Sequence, residues 1–444
     1  MMNKNLKINP PPKQAVILAG GKGTRLKSIL GNLPKPMLNV IGEPILLHLI
    51  RLCKKYGFID IHILVEFRAD KIIEYFGNGH QFGVNIAFHR ESTPRGTAGA
   101  LCDILHTLSE SFIVLYGDTF LNVDLNSMWI HHFKKKSELT VFLHPNDHPY
   151  DSDLVEVDDY NMVKRIHTYP HKSHKYHRNL VNAALYVIDK TSLLGINFTE
   201  ERPDIARNMF PMLLQRNVKI SGYISSEYIK DIGTIQRIKS AETDIFSGKT
   251  DKLLKKRKKE AIFLDRDGVI NVESGYITSS KDLFLIEGVS DAIRRINRSG
   301  MLAILITNQP VVARGECSHN CIRKIHNKLE SSLGIEGAYL DFIYYCPHHP
   351  DKGFSGEIKD LKFDCNCRKP KPGMIIQAAL DYNIDLEKSW MIGDTTSDVL
   401  AAKNAKVKSI LVKTGRAGSD LKYTVKPDYV FDSLNESVDY ILNN

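Results

Sequence analysis

The sequence contains no run of about 18 consecutive apolar residues, which excludes an ordinary membrane-spanning helix. Its first residues, MMNKNLKINPPPKQ, lack the apolar core of an export signal, so a cytoplasmic protein is expected. Cysteine is scarce, with seven among 444 residues, an odd number. That argues against a disulfide framework and for free thiols or metal ligands. No repeat of solenoid period is present, and no nucleic-acid motif or basic patch interleaved with aromatics. Nucleic acid and membrane are therefore not expected partners, although the formal charge is +9 and KKRKK stands at 255–259. A basic balance equally suits phosphorylated metabolites, and a solvated linker is the plainer account of that run.

What is present is the composition of a globular chain, 43% hydrophobic and 25% charged, long enough for two or three domains. From Gln14 to about Phe246, short apolar runs (AVILAGG, IHILVEF, NIAFHRES, FIVLYGDTF) alternate with helical stretches (PILLHLIRLCKKYG, ADKIIEYFG, TAGALCDILHTL). This rhythm predicts an α/β fold with a mostly parallel, Rossmann-like sheet covered on both faces. The polar stretch SGKTDKLLKKRKKE breaks it. AIFLDRDG, MLAILITNQ, SWMIGDT and SILVKTG then restart it. The expected division is a domain over 14–246, a basic linker over 247–259, and a second domain over 260–444. Ligand sites in such sheets lie outside the carboxyl ends of the strands. Every motif used below falls at such an end.

In LAGGKGTRL, Gly20, Gly21 and Gly23 let the backbone approach a triphosphate and turn its N–H groups inward. Thr24 adds a hydroxyl and Arg25 a fixed charge. The loop is neither a Walker sequence nor G-x-G-x-x-G. Further along come PKPM (34–37), GTAGAL (96–101), YGDT (116–119), NAALYV (182–187) and DIGT (231–234). As an ordered set these resemble the sugar-1-phosphate nucleotidyltransferases, especially the GDP-sugar branch that includes heptose 1-phosphate guanylyltransferases. The resemblance implies a GT-A-like domain in which Lys35 and Arg25 bind phosphates while Asp118 and Asp231 hold Mg²⁺. It places Gly96, Thr97, Gly99 and Asn182 along the nucleotide and sugar. In that chemistry the sugar phosphate is itself the nucleophile, so positioning and charge neutralisation suffice. One departure stands out: the Glu-Lys-Pro triplet usual before the Asn182 motif is missing. Lys172 and Lys175 are the available substitutes. Histidines 167, 171, 174 and 177 in the same segment read as an exposed loop or as metal ligands.

In FLDRDGVIN, Asp265 and Asp267 are two apart, on one side of an extended strand end. Two such carboxylates repel unless a cation or shared proton intervenes. Thr307 in ITNQ, Lys369 in CRKPKPG and Asp394 in IGDTTSD follow in order. Together these resemble phosphatases of the haloacid-dehalogenase (HAD) type, with a Rossmannoid fold. By that resemblance Asp265 attacks phosphorus, Asp267 is the acid and base, and Thr307 and Lys369 neutralise the phosphoryl group. Asp394, Asp265 and the backbone carbonyl of Asp267 would hold Mg²⁺. Asp398 reads equally as support for the site or as a helix cap, and Arg368 as a contact to the substrate's far end.

Cys346, His348, Cys365 and Cys367 form two close pairs, the Cys₃His stoichiometry of a structural Zn²⁺ loop, with His349 as a rival ligand. DRDGVIN, TNQ, ARG (313–315), CxH and CxCRKPKPGM together resemble D-glycero-D-manno-heptose 1,7-bisphosphate 7-phosphatases, which are close to the histidinol-phosphate phosphatases. NQPVVARG stands where the heptose enzymes tend to have NQSGIARG. The two resemblances imply a bifunctional enzyme of GDP-heptose supply for surface polysaccharide, with sugar phosphates and a nucleoside triphosphate, GTP favoured, as partners. The phosphatase product would be the transferase substrate. Two other readings are a transferase half reduced to nucleotide binding, and a phosphatase acting on nucleic-acid ends.

Overall fold

The computed structural model describes residues 12–23, 26–171 and 175–444. The chain divides into two compact units. The first comprises residues up to 144 together with 155–168 and 182–254, and the second comprises 145–154, 169–181 and 255–444.

The first unit is built on a sheet of nine strands among the described residues. Strand Gln14–Leu18 is its centre because its side chains are buried on both faces, as a covered parallel sheet requires. It pairs in parallel with Asp60–Val65 on one side and Ser111–Tyr116 on the other, with Val16 level with His62 and Val114. Asn85–Arg90 extends the parallel run. Strand Val181–Asp189 instead runs antiparallel to Ser111–Tyr116. Helix Leu125–Lys135 and the strands Leu139–His144, Leu154–Val157 and Val163–His167 lie between the two in the chain. Helix Ile45–Lys55 lays Ile45, Leu46, Leu49, Ile50 and Cys53 into the core at helical spacing. The helix predicted over 97–108 stops at Asp103 and tightens into a turn over Leu105–Thr107. There the Thr107 hydroxyl donates to the Ile104 carbonyl at 2.8 Å, competing for that acceptor.

The second unit carries a six-stranded, wholly parallel sheet among the described residues. Its spatial order is Phe342–Cys346, Leu302–Asn308, Ala261–Leu264, Trp390–Gly393, Lys408–Val412, Tyr429–Phe431. The chain order reverses at Ala261–Leu264, so a crevice opens beyond its carboxyl end. Helix His319–Ile335 covers one face, burying Ile322, Ile325, Leu329 and Leu333. Pro149, Tyr176 and His177 lie along that helix within the unit. Gly334 leaves room for the Pro149 ring, and Ser331 donates to the His177 carbonyl at 3.2 Å. The KKRKK run ends in a buried residue. Lys259 donates to the carbonyls of Lys255, Arg257 and Tyr382 at 3.2–3.4 Å. Among the described residues no helix is long and apolar enough to cross a membrane.

Candidate active sites

In the first unit, three strand ends and a hairpin converge. The loop after Gln14–Leu18 carries the glycines. Gly23 has φ +64°, and a Cβ there would meet Leu30 at 2.6 Å and Lys35 at 3.1 Å, so only glycine fits. The Gly21 carbonyl accepts from the Lys35 backbone N–H at 3.3 Å, tying PKPM to the loop. Lys35, nearly buried, places its ammonium 2.6 Å from Asp118 Oδ2. Asp118 follows Ser111–Tyr116, and Asp231 ends a strand paired with Thr119–Asn122. The Ile232 N–H donates to the Asp118 carbonyl at 3.1 Å, so the two acidic residues are neighbours. Arg237 holds Asp231 Oδ2 at 2.7 Å. Both carboxylates are 37% exposed, hard oxygen donors open to a divalent cation and a phosphate chain.

The other predicted residues of this half fare differently. Thr24, Arg25, Lys172 and His174 lie outside the described residues. The Thr97 hydroxyl donates to Asp204 and accepts from the Ile205 N–H, both at 2.9 Å, so it is spent on packing. Gly96 and Gly99 press against Arg202–Pro203, where a side chain at Gly96 would strike the Pro203 carbonyl. Gly20 faces Glu66. Asn182 accepts from the Ala184 N–H at 3.1 Å, bending its strand at a residue with φ +55°. Lys175 is exposed. His167 meets Glu156 at 3.1 Å, while His171 donates to the Ser152 carbonyl at 2.8 Å and its ring centre lies 5.6 Å from that of His177.

In the second unit the site is tighter. Asp265 follows Ala261–Leu264, Thr307 lies in Leu302–Asn308, and Asp394 follows Trp390–Gly393, all at one edge of the sheet. Lys369 is buried, with its ammonium 2.8 Å from Asp265 Oδ1, 2.6 Å from Asp398 Oδ1 and 2.8 Å from the Ile306 carbonyl. Burial works against its charge, yet Asp265 and Asp398 hold its pKa up at about 12. Oxygens of Asp265, Asp394 and Asp398 lie within 4.8 Å of one another, a group that could hold a metal ion. Burial and then the Asp398 charge push Asp265 well above the usual carboxylate range and Asp394 up to about 7. Such crowding calls for a cation.

Asp398 does both things its position allowed. Oδ1 meets Lys369, while Oδ2 accepts the Thr395 N–H and hydroxyl at 3.1 and 2.5 Å, closing a capping box. Asp267 turns its carboxylate to other partners. Oδ1 accepts from Arg266 and Asn271, and Oδ2 from Arg266 and Gln309, at 3.0–3.2 Å. Gln309 also donates to Thr307 at 2.9 Å. Arg266, Asn271 and Gln309 all lie inside the sequence motifs, whose spacing does not mark them as partners of Asp267. Asn308 brackets Lys369, accepting from its N–H and donating to its carbonyl.

The four predicted metal donors come together. Sγ atoms of Cys346, Cys365 and Cys367 are 3.2–3.5 Å apart, with His348 Nδ1 at 3.2 Å from Cys367. All four donor atoms lie within 4.8 Å. Hydrogen bonds from Cys346 foremost lower the Cys367 thiol to about 5, toward the thiolate a soft metal binds. His349 points to Arg314 at 3.4 Å and is not in the set. Arg368 donates to the His348 carbonyl at 3.3 Å.

Residues 14–248, more than half of the chain, match the family described as Nucleotidyl transferase, and 366–437 match one described as HAD-hydrolase-like. Over 185 residues, 41% of the chain, it is 42% identical to D-glycero-beta-D-manno-heptose-1,7-bisphosphate 7-phosphatase of Haemophilus ducreyi, spanning 98% of that protein. The chain belongs to both families. It is a nucleotidyltransferase and a phosphatase in one polypeptide. Two solved structures match the halves. The HddC protein of Yersinia pseudotuberculosis is 24% identical over 52% of this chain and 99% of its own, with TM-score 0.46. The D,D-heptose 1,7-bisphosphate phosphatase of B. bronchiseptica is 33% identical over 41% and 98%, with TM-score 0.37.

Proposed function

We propose that the phosphatase half removes the 7-phosphate of D-glycero-D-manno-heptose 1,7-bisphosphate and that the transferase half joins the resulting 1-phosphate to GMP from GTP. The observation that carries this reading is the pairing itself. A phosphatase 42% identical to heptose bisphosphate 7-phosphatases is fused to a nucleotidyltransferase, and the product of the first reaction is a substrate of the second kind. A histidinol phosphatase would have no use for that partner.

In the phosphatase reaction an Asp265 oxygen attacks phosphorus and the bond to the sugar O7 breaks, leaving an aspartyl phosphate. Asp267, oriented by Arg266, Asn271 and Gln309, gives the leaving oxygen its proton. It then takes one from the water that hydrolyses the aspartyl phosphate. Lys369 and Thr307 neutralise the transferring group. Asp265 and Asp394, with Asp398 beside them, would hold Mg²⁺, which supplies further charge neutralisation. Cys346, His348, Cys365 and Cys367 suit Zn²⁺, fixing the loop that presents Arg368 and Lys369.

In the transferase half the sugar 1-phosphate oxygen attacks the α-phosphorus of GTP and pyrophosphate leaves. Lys35, and Arg25 by resemblance, neutralise the phosphates, while Asp118 and Asp231 would hold Mg²⁺ there. The Gly20–Gly23 turn would receive the triphosphate, and Asn182 the sugar. A panel of sugar bisphosphates against the four nucleoside triphosphates tests the reading. It predicts heptose bisphosphate and GTP as the preferred pair. A preference for another sugar would overturn it.

A further inference from the structure

Each of the two carboxylates that would hold Mg²⁺ in the first unit carries a cation of its own, and one of those cations has no part in the chemistry above. Lys35 stands on Asp118 at 2.6 Å, and Arg237 on Asp231 Oδ2 at 2.7 Å. The two pairs are neighbours. Asp231 is level with Thr119 in the antiparallel ladder, and the Ile232 N–H donates to the Asp118 carbonyl at 3.1 Å. The Arg237 side chain is 19% exposed and its partner carboxylate 37%, so the pair is within reach of a ligand.

The place of Arg237 in its helix runs against local stability. It lies in the first turn of Ile235–Phe246, where its N–H donates to the Thr234 hydroxyl at 3.3 Å and no acidic residue stands beside it. A cation there opposes the helix dipole, whose N-terminal end favours anions. Orienting Asp231 is not reason enough for the residue, because the same Oδ2 also accepts the Gly233 N–H at 3.3 Å. Departures of this kind from local preference gather at functional sites.

Nucleotidyl transfer brings two anions together, since an oxygen of the acceptor phosphate must reach the α-phosphorus of the triphosphate. Lys35, tied to the glycine loop through the Gly21 carbonyl, is placed for the triphosphate. The acceptor phosphate then needs a second cation beside the same pair of carboxylates. We propose that Arg237 binds the phosphate of the acceptor sugar 1-phosphate. Its planar fork holds two terminal oxygens and leaves the third to attack. The new O–P bond forms as the bond to pyrophosphate breaks, and pyrophosphate leaves with the electron pair. Such a contact is made in the ground state and the transition state alike, so it acts on KM for the sugar phosphate and little on kcat. The inference rests on the transferase reading given above.

The test uses the full chain and two readouts. In nucleotidyl transfer, Arg237→Gln should raise the KM for heptose 1-phosphate by about 10- to 100-fold, while the KM for GTP and the Mg²⁺ dependence stay within about threefold of wild type. Calorimetric binding of heptose 1-phosphate, in the presence of Mg²⁺ and the non-transferable α,β-methylene analogue of GTP, should weaken by the same factor. Arg237→Lys, which keeps the charge but loses the fork, should fall between. Melting temperature and binding of the GTP analogue show whether each variant is folded. If Arg237 only positions Asp231, the pattern reverses: the Mg²⁺ dependence and the KM for GTP shift, and sugar phosphate binding does not. That result would overturn the proposal. Should Arg237→Gln not fold, Arg237→Lys carries the test, and sugar phosphate binding within about twofold of wild type would overturn it. The functional reading fails separately, if the wild type prefers another sugar. The binding is then read with that sugar's 1-phosphate, and the role of Arg237 stands or falls on it.

Discussion

The ammonium of Lys369 lies 2.8 Å from Oδ1 of Asp265, and both side chains are largely closed to water. The same ammonium neutralises Asp398, so one cation holds two carboxylates that would otherwise repel. Replacing it with an apolar group of similar length exposes that repulsion. Lys369→Met is expected to abolish phosphate release and to destabilise the unit by about 3–5 kcal/mol in the absence of divalent cation. Added Mg²⁺ should restore part of the melting temperature without restoring activity. A variant as stable as wild type in EDTA would show that the triad is not held this way.

The two sites should be separable. Asp265→Asn should reduce phosphate release by more than about a thousandfold, because the amide cannot form the acyl phosphate. Nucleotidyl transfer to a supplied sugar 1-phosphate should persist. Asp118→Asn should do the reverse. Loss of both reactions in either folded variant would contradict two independent centres.

Zinc is expected at about one ion per chain after purification without added metal, as for a closed Cys₃His site. Cys365→Ser should lose the ion and lower the melting temperature. Phosphatase activity should fall with it, since Lys369 follows the loop that the ion closes. Retained metal and an unchanged melting curve in Cys365→Ser would remove the assignment.

Glu330 on helix His319–Ile335 is fully buried, and burial raises its pKa to about 7, against the pull of Arg178 and the Asn179 N–H. A carboxyl raised in the folded state contributes stability that is full below its unfolded value and lost as pH rises toward the folded one. Here that window runs from about 4.5 to about 7. Glu330→Gln should remove this slope. Its melting temperature relative to wild type should therefore be higher at pH 8 than at pH 5. An identical offset at both pH values would mean that Glu330 does not titrate there.

Much of this was legible in the sequence because alternating strands and helices put each motif at a strand end. Asp118, Asp231, Asp265, Thr307 and Asp394 all sit where that rule places them. The Cys₃His group was readable from its paired spacing alone. The grip on Asp267 was not. Arg266, Asn271 and Gln309 are polar residues within turns, and nothing in their spacing says which carboxylate they reach. Nor was the bond of Thr97 to Asp204 legible, since a hydroxyl in a glycine turn fits phosphate as well as it fits a carboxylate. The packing of Pro149, Tyr176 and His177 along helix His319–Ile335 joins residues far apart in the chain, which local pattern cannot foresee. Lys259 shows the same limit: a charge run reads as solvated until its last residue is found donating to three carbonyls.

The most direct test of the central claim follows all products in one reaction. Wild-type chain given heptose 1,7-bisphosphate, GTP and Mg²⁺ should release inorganic phosphate from C7, then pyrophosphate, with GDP-heptose accumulating. The anomeric phosphate must survive the first step, because its oxygen is the nucleophile of the second. Release of the 1-phosphate first, leaving heptose 7-phosphate and no GDP-heptose, would contradict the account.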